Sequence, residues 1–114
     1  NAIKRSAYVR EALVLNDARH RLAALVVPEW DMLRGQFGID GKTGTDAISQ
    51  RQDVRAFLRK EVMAQCSDLA QREQVRTVIV APRDLTIESG ELSPTLKIKR
   101  RTVEARFREL IEAS

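Results

Sequence analysis

Three short apolar runs mark the strand-like parts of this sequence. Residues 8–15, 22–27 and 75–80 are rich in apolar and β-branched side chains, which favours β-strands. The polar connection 16–21 has a length that suits a hairpin, so the first two strands are predicted to pair antiparallel. The second run shows little polar alternation, which is typical of a strand covered on both faces.

Apolar residues at helical spacing predict a helix after the second strand and another at the end of the chain. The first begins near Pro28, followed by acids that suit the positive end of a helix dipole, and Gly38 can end it. The closing helix is predicted over residues 101–113. Its apolar side consists of Val103, Phe107, Leu110 and Ile111.

The longest helix is predicted from Ser49 to about Leu69. Ser49 and Gln52 have the spacing of a capping box, and apolar residues then repeat at helical spacing. The preceding segment, 38–45, contains Gly41-Lys42-Thr43, the tail of a phosphate-binding P-loop. The P-loop spacing fails because Gln36 stands where the first glycine is needed, so this segment is interpreted as a surface connection.

The segment 85–101 carries the most specific pattern in the chain. Alternating residues lead to Ser89-Gly90, which predicts a hairpin turn, and a Ser93-Pro94-Thr95 corner follows. Lys97 comes next, on a short alternating run. A single amine is therefore expected on a stiff loop, and our interpretation is that this loop delivers Lys97 into the active site of another domain. The fold class predicted from all these elements is α+β: a small three-stranded sheet with packed helices plus a β-hairpin loop.

Size and charge restrict the class of protein. At 114 residues the chain is expected to be one domain spanning residues 1–114, and 43% apolar with 32% charged residues is typical of a folded globular protein. The formal net charge of +4 modestly favours anionic partners. Cys66 is the only cysteine and His20 the only histidine, so we predict a buried thiol, a solvated loop histidine and no metal cluster.

The residues from Ile87 to Arg100, IESGELSPTLKIKR, resemble the C-terminal end of AMP-forming long-chain acyl-CoA synthetases, members of the adenylate-forming superfamily. The start of the chain, NAIKRSAYVREA, the LVVP at residues 25–28 and the terminal RFRELIE are similar to that family as well. The resemblance covers nearly the whole chain and is weakest over 38–51.

The resemblance implies a C-terminal lid domain of a long-chain fatty acid–CoA ligase. In that family a large N-terminal domain holds ATP, Mg2+ and the acid, and the small domain moves between two poses, one for adenylation and one for thioester formation with coenzyme A. The lysine similar to Lys97 enters the site during adenylation, so Lys97 is the candidate catalytic residue. Thr95, Lys99 and Arg100, with Arg101 beside them, are candidates for binding nucleotide or coenzyme A phosphates.

The same resemblance implies which parts are missing. The hinge, the phosphate loop and the Mg2+ ligands of the family lie before the point where this chain begins, so we expect a piece of a longer protein that is inactive alone. Its partners would be its own N-terminal ATP-binding domain, a long-chain fatty acid, ATP and coenzyme A. The expected location is cytoplasmic, with peripheral membrane contact left open. Many superfamily members have glycine immediately before the lysine, whereas this chain has Leu96, as in the long-chain branch.

Different classes of protein stay open at this point. The basic residues 97–101 and the net positive charge are compatible with a nucleic-acid-binding module, although interleaved acids and few aromatics speak against it, and no nucleic acid partner is expected. An enzyme of the same superfamily that activates a different acid is a second possibility. A stand-alone interaction module without an enzyme is a third.

Overall fold

A mixed three-stranded sheet forms the centre of the computed structural model, which describes residues 2–65 and 75–113. The strands are β1 (Val9–Asn16), β2 (Leu22–Pro28) and β3 (Thr77–Val80), in the order β1-β2-β3. β1 and β2 pair antiparallel, with Leu13 opposite Leu25, which confirms the predicted hairpin. β2 and β3 pair parallel. β3 begins two residues later than the predicted run.

The central strand β2 separates two apolar clusters, as its lack of polar alternation predicted. Because side chains alternate across a strand, successive residues of β2 enter different layers. Ala24 and Val26 belong to one cluster, and Ala23, Leu25 and Val27 to the other. All five side chains are buried.

Among the described residues, the short 3-10 helix Ala2–Arg5 and three α-helices cover the first face: α1 (Trp30–Phe37), α2 (Thr45–Gln50) and α3 (Gln52–Gln65). α1 ends as predicted at Gly38, whose positive φ of 63° is a conformation that glycine adopts without a Cβ clash. The first cluster contains helical side chains that are almost fully buried: Trp30, Leu33, Ile48, Val54, Leu58 and Val62.

The predicted capping box at Ser49 was wrong. Ser49 lies inside the short helix α2, where its hydroxyl donates to the Asp46 carbonyl at 2.7 Å, and α3 begins only at Gln52. Serine also hydrogen-bonds backwards within a helix, and this arrangement prevails here because burial of Ile48 holds the preceding turn helical. The predicted extension of α3 to Leu69 and the buried thiol of Cys66 lie outside the described residues.

The second face is covered by α4 (Arg100–Arg106) and α5 (Arg108–Glu112), which correct the prediction of one closing helix. Phe107 interrupts the helix, with φ −107° and ψ 19°. The predicted apolar side is confirmed, since Val103, Phe107 and Ile111 are buried in the second cluster and Leu110 packs against it. The Phe107 ring contacts this cluster and also lies beneath the Arg83 guanidinium, whose central carbon is 5.0 Å from the ring centroid.

These layers confirm the α+β class. His20 is exposed in the β1–β2 loop, as predicted. Its neighbour Asp17 was not singled out from the sequence, although it is buried and accepts the backbone N–H groups of Arg19 and Arg21. None of the helices in the described ranges is both long and apolar enough to cross a membrane.

Replacing Trp30 by phenylalanine tests how α1 is tied to Asp84, which lies just before the segment 85–101. The indole Nε1 donates to Asp84 Oδ1 at 2.8 Å, and Arg10 Nη1 donates to Asp84 Oδ2 at 2.8 Å. Phenylalanine keeps most of the buried ring but loses the donor, so the free energy of unfolding should fall by about 1 kcal/mol. Urea unfolding followed by circular dichroism measures this. Met32→Ala, on the exposed side of α1, is the control that should change stability far less.

Candidate functional site

The lysine-bearing segment is a small closed loop. Leu92 and Ile98 form an isolated antiparallel bridge, and inside it the Ser93 N–H donates to the Lys97 carbonyl at 2.9 Å. Pro94, Thr95 and Leu96 therefore form a three-residue hairpin connection. We call residues 93–97 the lysine loop. The predicted stiff, proline-marked corner is thus present and carries Lys97.

The turn predicted at Ser89-Gly90 is present, but the prediction that it joins the two strands of a hairpin was wrong, because Leu92 pairs with Ile98. Residues 87–90 form a turn, and the Thr86 carbonyl just before it accepts the N–H groups of both Glu91 and Leu92. The Thr86 hydroxyl oxygen accepts the Ser89 N–H at 3.1 Å, and such local bonds compete with strand pairing. Gly90 completes the turn with φ 81°, where a side chain would be strained.

Ser93 uses all three of its polar groups to close the lysine loop. Besides its N–H, its carbonyl accepts the Leu96 N–H at 2.8 Å, and its hydroxyl oxygen accepts the Lys97 N–H at 3.1 Å. The same hydroxyl lies 3.0 Å from that of Thr95. Pro94 adds a fixed φ to this turn. The backbone on either side of Leu96 is therefore held by hydrogen bonds to one residue.

Leu96 occupies a backbone conformation that is unusual for a residue with a side chain. Its φ is 64°, and its side chain is 63% exposed. A left-handed conformation costs an L-residue about 1–2 kcal/mol, and the third position of a three-residue hairpin loop is commonly left-handed and filled by glycine. Glycine would adopt this conformation without that cost.

Leu96→Gly should therefore stabilise the chain. Removing the Cβ relieves the left-handed strain but gives the unfolded chain more freedom, which leaves a net gain of about 0.5–1 kcal/mol in the free energy of unfolding. Leu96→Ala keeps the Cβ and should bring no such gain. Urea unfolding of the three proteins side by side measures both. If the Leu96→Gly protein is less stable than the Leu96→Ala protein, Leu96 is not strained in its left-handed conformation.

A buried ion pair anchors the lysine loop to the domain. Glu91 is fully buried, and its carboxylate accepts from Arg83 Nη1 at 2.8 Å, Ser89 Oγ at 2.7 Å and the Thr86 N–H at 3.2 Å. The Arg83 hydrogen bonds, helped by Ser89 and the Thr86 N–H, lower the pKa of Glu91 to about 2. The Glu91 carbonyl also accepts the Lys99 N–H at 2.8 Å. The carboxylate and the backbone of one residue thus fix both ends of the loop.

The Lys97 ammonium projects from this anchored loop into solvent. Ile98 packs against the second cluster, so its neighbours Lys97 and Lys99 face the other way along the extended backbone. Both lysines are exposed. Within residues 2–65 and 75–113, no hydrogen bond or ion pair engages either ammonium. Lys97 is free to bind a group from outside.

The other candidate ligands differ in how they are placed. Thr95 sits at the tip of the loop and is exposed. Arg100 opens α4, where its Nη1 donates to the Val14 carbonyl at 2.7 Å and lies 3.7 Å from Glu104 Oε1. Arg100 also lines an open groove of about 550 Å3 between α4, α5 and the β1–β2 loop, which does not include Lys97. The structure therefore brings Thr95, Lys97 and Lys99 near one loop and ties Arg100 to β1.

Sequence reasoning missed Arg83 and Glu91, the pair that holds the loop. Glu91 appeared as an ordinary polar position of a hairpin strand. The available signal was its place next to Gly90, since a glycine turn can bring the following side chain inwards. Among the described residues, no group of three or more His, Cys, Asp or Glu side chains could hold a metal ion.

Comparison with known proteins relates the chain to ligases. It is 28% identical over 108 residues to long-chain-fatty-acid–CoA ligase FadD15 of Mycobacterium tuberculosis, covering 92% of this chain and 18% of that protein. It is 29% identical over 111 residues to the chloroplastic long-chain-fatty-acid–[acyl-carrier-protein] ligase AEE15 of Arabidopsis thaliana, covering 97% of this chain and 14% of that protein. The chain thus spans under a fifth of these relatives. No family model matches it.

A solved structure shares the fold. The A-PCP didomain of carboxylic acid reductase from Segniliparus rugosus, in complex with AMP, aligns with a TM-score of 0.74 and 28% identity over 98% of this chain and 14% of that one. The sequence and fold similarities together confirm the resemblance seen in the sequence. The chain is thus similar in sequence to long-chain acyl ligases and similar in fold to part of an AMP-bound didomain of carboxylic acid reductase.

Proposed function

We propose that this chain is the mobile C-terminal domain of a long-chain fatty acid–CoA ligase and that Lys97 is its catalytic residue. In this proposal the whole enzyme converts a fatty acid and ATP to acyl-AMP and pyrophosphate, and then transfers the acyl group to the thiol of coenzyme A. The observation that carries it is the placement of Lys97: an exposed ammonium, without a partner in the described residues, on a loop closed by hydrogen bonds.

The chemistry of adenylation explains the use of a lysine. The carboxylate attacks the α-phosphorus of ATP as pyrophosphate leaves, so negative charge collects on closely spaced oxygens. An ammonium on a flexible stem can lie between the acid and the nucleotide and stabilise that charge. Lys97 needs a partner surface for this role, because the described part of the chain offers no site for ATP beside it.

The remaining half of the site is assigned to an N-terminal domain. That domain would hold ATP, the acid and Mg2+. We assign no Mg2+ ligand to the described residues of this chain. Thr95 and Lys99 are proposed to bind nucleotide or coenzyme A phosphates beside Lys97. Arg100 donates Nη1 to the Val14 carbonyl, and its guanidinium has further N–H donors for a phosphate. Withdrawal of the loop after adenylation would open the path for the thiol.

A second proposal differs mainly in the thiol that accepts the acyl group. One relative is named as a CoA ligase and another as an acyl-carrier-protein ligase. We favour coenzyme A because the resemblance in the lysine loop is to long-chain acyl-CoA synthetases. A carrier protein, or an acid other than a long-chain fatty acid, would leave the role of Lys97 unchanged.

Assays of the two-domain enzyme and of the isolated chain test the proposal. Pyrophosphate exchange into ATP should depend on a long-chain fatty acid and occur only with both domains, and the two-domain enzyme should form a thioester with coenzyme A. Carrier protein replacing coenzyme A in an otherwise equal assay identifies the acceptor. Exchange by the isolated chain, or an enzyme that works equally well after this domain is removed, would contradict the proposal.

A further inference from the structure

The direction of the Lys97 side chain depends on the backbone conformation of the residue before it as well as on the alternation with the packed Ile98. Because Leu96 has φ 64°, the chain reverses there, and the side chain that follows leaves the loop on a different course from that of an extended strand. An L-residue leaves this conformation readily when nothing holds it. Some feature of the loop must therefore keep Leu96 left-handed.

We infer that the Ser93 hydroxyl is that feature, and that Ser93 is a positioning residue for Lys97. The hydroxyl oxygen accepts the Lys97 N–H at 3.1 Å, directly after Leu96, while the Ser93 carbonyl accepts the Leu96 N–H at 2.8 Å. These two bonds lie on either side of the left-handed residue. Ser93 thereby sets the direction of the ammonium before any substrate binds. This inference rests on the proposed catalytic role of Lys97.

The packing of the loop does not itself hold Leu96 in the left-handed conformation. The Leu96 side chain is mostly exposed, so burial does not hold it in place. Thr95 is exposed, and its hydroxyl contacts Ser93 itself at 3.0 Å. The bridge between Leu92 and Ile98 and the bond from the Ser93 N–H to the Lys97 carbonyl fix the ends of the loop, but neither bonds the residue at its third position. Loss of the hydroxyl should let Leu96 leave the left-handed region while the rest of the domain stays folded.

A double-mutant cycle in the two-domain enzyme tests the inference. Ser93→Ala should slow acyl-adenylate formation by about tenfold, which corresponds to the left-handed cost of an L-residue. Ser93→Thr keeps the hydroxyl and should restore most of the rate. In a Leu96→Gly background, where the left-handed conformation carries no Cβ penalty, the further loss from Ser93→Ala should shrink to roughly threefold or less.

Two readouts separate positioning from general damage. Transfer from preformed acyl-adenylate to coenzyme A should be equally fast in the wild-type and Ser93→Ala enzymes, because a misfolded domain would lower both steps. An equal loss from Ser93→Ala with and without Leu96→Gly, or no recovery with Ser93→Thr, would overturn the inference. If Lys97→Ala itself leaves adenylation unchanged, the proposed function fails instead. A strong Lys97→Ala effect with a silent Ser93→Ala rejects only the role of Ser93.

Discussion

Lys97→Ala should lower the rate of acyl-adenylate formation in the two-domain enzyme by about 10²–10³, the loss typical when one preorganised charge-stabilising donor is removed. The ammonium has no partner in the described residues, so its removal leaves no buried group unsatisfied and should hardly change stability. Transfer of the acyl group from preformed acyl-adenylate to coenzyme A should stay near the wild-type rate, because the role proposed for Lys97 is confined to the first step.

The matched control is Lys60→Ala, which removes an exposed lysine of α3 in the other layer of the domain. Both half-reactions should be unaffected by it. Single-turnover assays of each step, with circular dichroism to verify folding, give the comparison. Equal losses in adenylation and in thioester formation after Lys97→Ala would show that the lysine serves the structure of the enzyme and does not assist adenylation.

Glu91→Ala should destabilise the chain by about 3 kcal/mol, near the lower end for breaking a buried ion pair. The carboxylate is fully buried and accepts from Arg83, Ser89 and the Thr86 N–H, which would all lose their partner. The cost is not larger because Arg83 is partly exposed and water can solvate it. Urea unfolding of the 114-residue chain measures the change.

The same group predicts how stability depends on pH. Because the pKa of Glu91 is lowered from its ordinary value of 4.5 to about 2, the folded state holds its proton less tightly than the unfolded state. The contribution of Glu91 to the free energy of unfolding is complete above about pH 5 and falls as the pH drops from there towards 2. Glu91→Gln removes this dependence, so the stability gap between wild type and mutant should narrow over that range. A gap that is constant between about pH 5 and 3 would contradict the assignment.

The sequence predicted the layers of the fold better than its turns. The apolar runs located β1, β2 and β3, and the lack of alternation in β2 correctly indicated a strand covered on both faces. α2 was missed because Ile48 supplies one buried apolar side chain in a six-residue helix, too little for a periodic signal. The break at Phe107 was missed because both halves of the closing helix continue the same apolar side.

In the candidate site, too, the turns were predicted less well than the presence of the loop. Ser93, Pro94 and Lys97 marked a stiff loop, but the hairpin was assigned to Ser89-Gly90 because glycine pairs are the usual turn signal. The left-handed residue of the actual hairpin is Leu96, which no propensity scale would choose for that conformation. Its placement follows from the hydrogen bonds of Ser93, and contacts across a turn cannot be read from residue types alone.

The alternation along β2 makes this strand the part of the domain least able to accept a change in length. Leu25 and Val26 are chain neighbours but belong to clusters on opposite faces of the sheet. Inserting or deleting one residue in the middle of β2 would move every following side chain of the strand to the opposite face of the sheet. Length variation among proteins of this fold should therefore gather in the connections, such as residues 38–45, while β2 keeps its residue count.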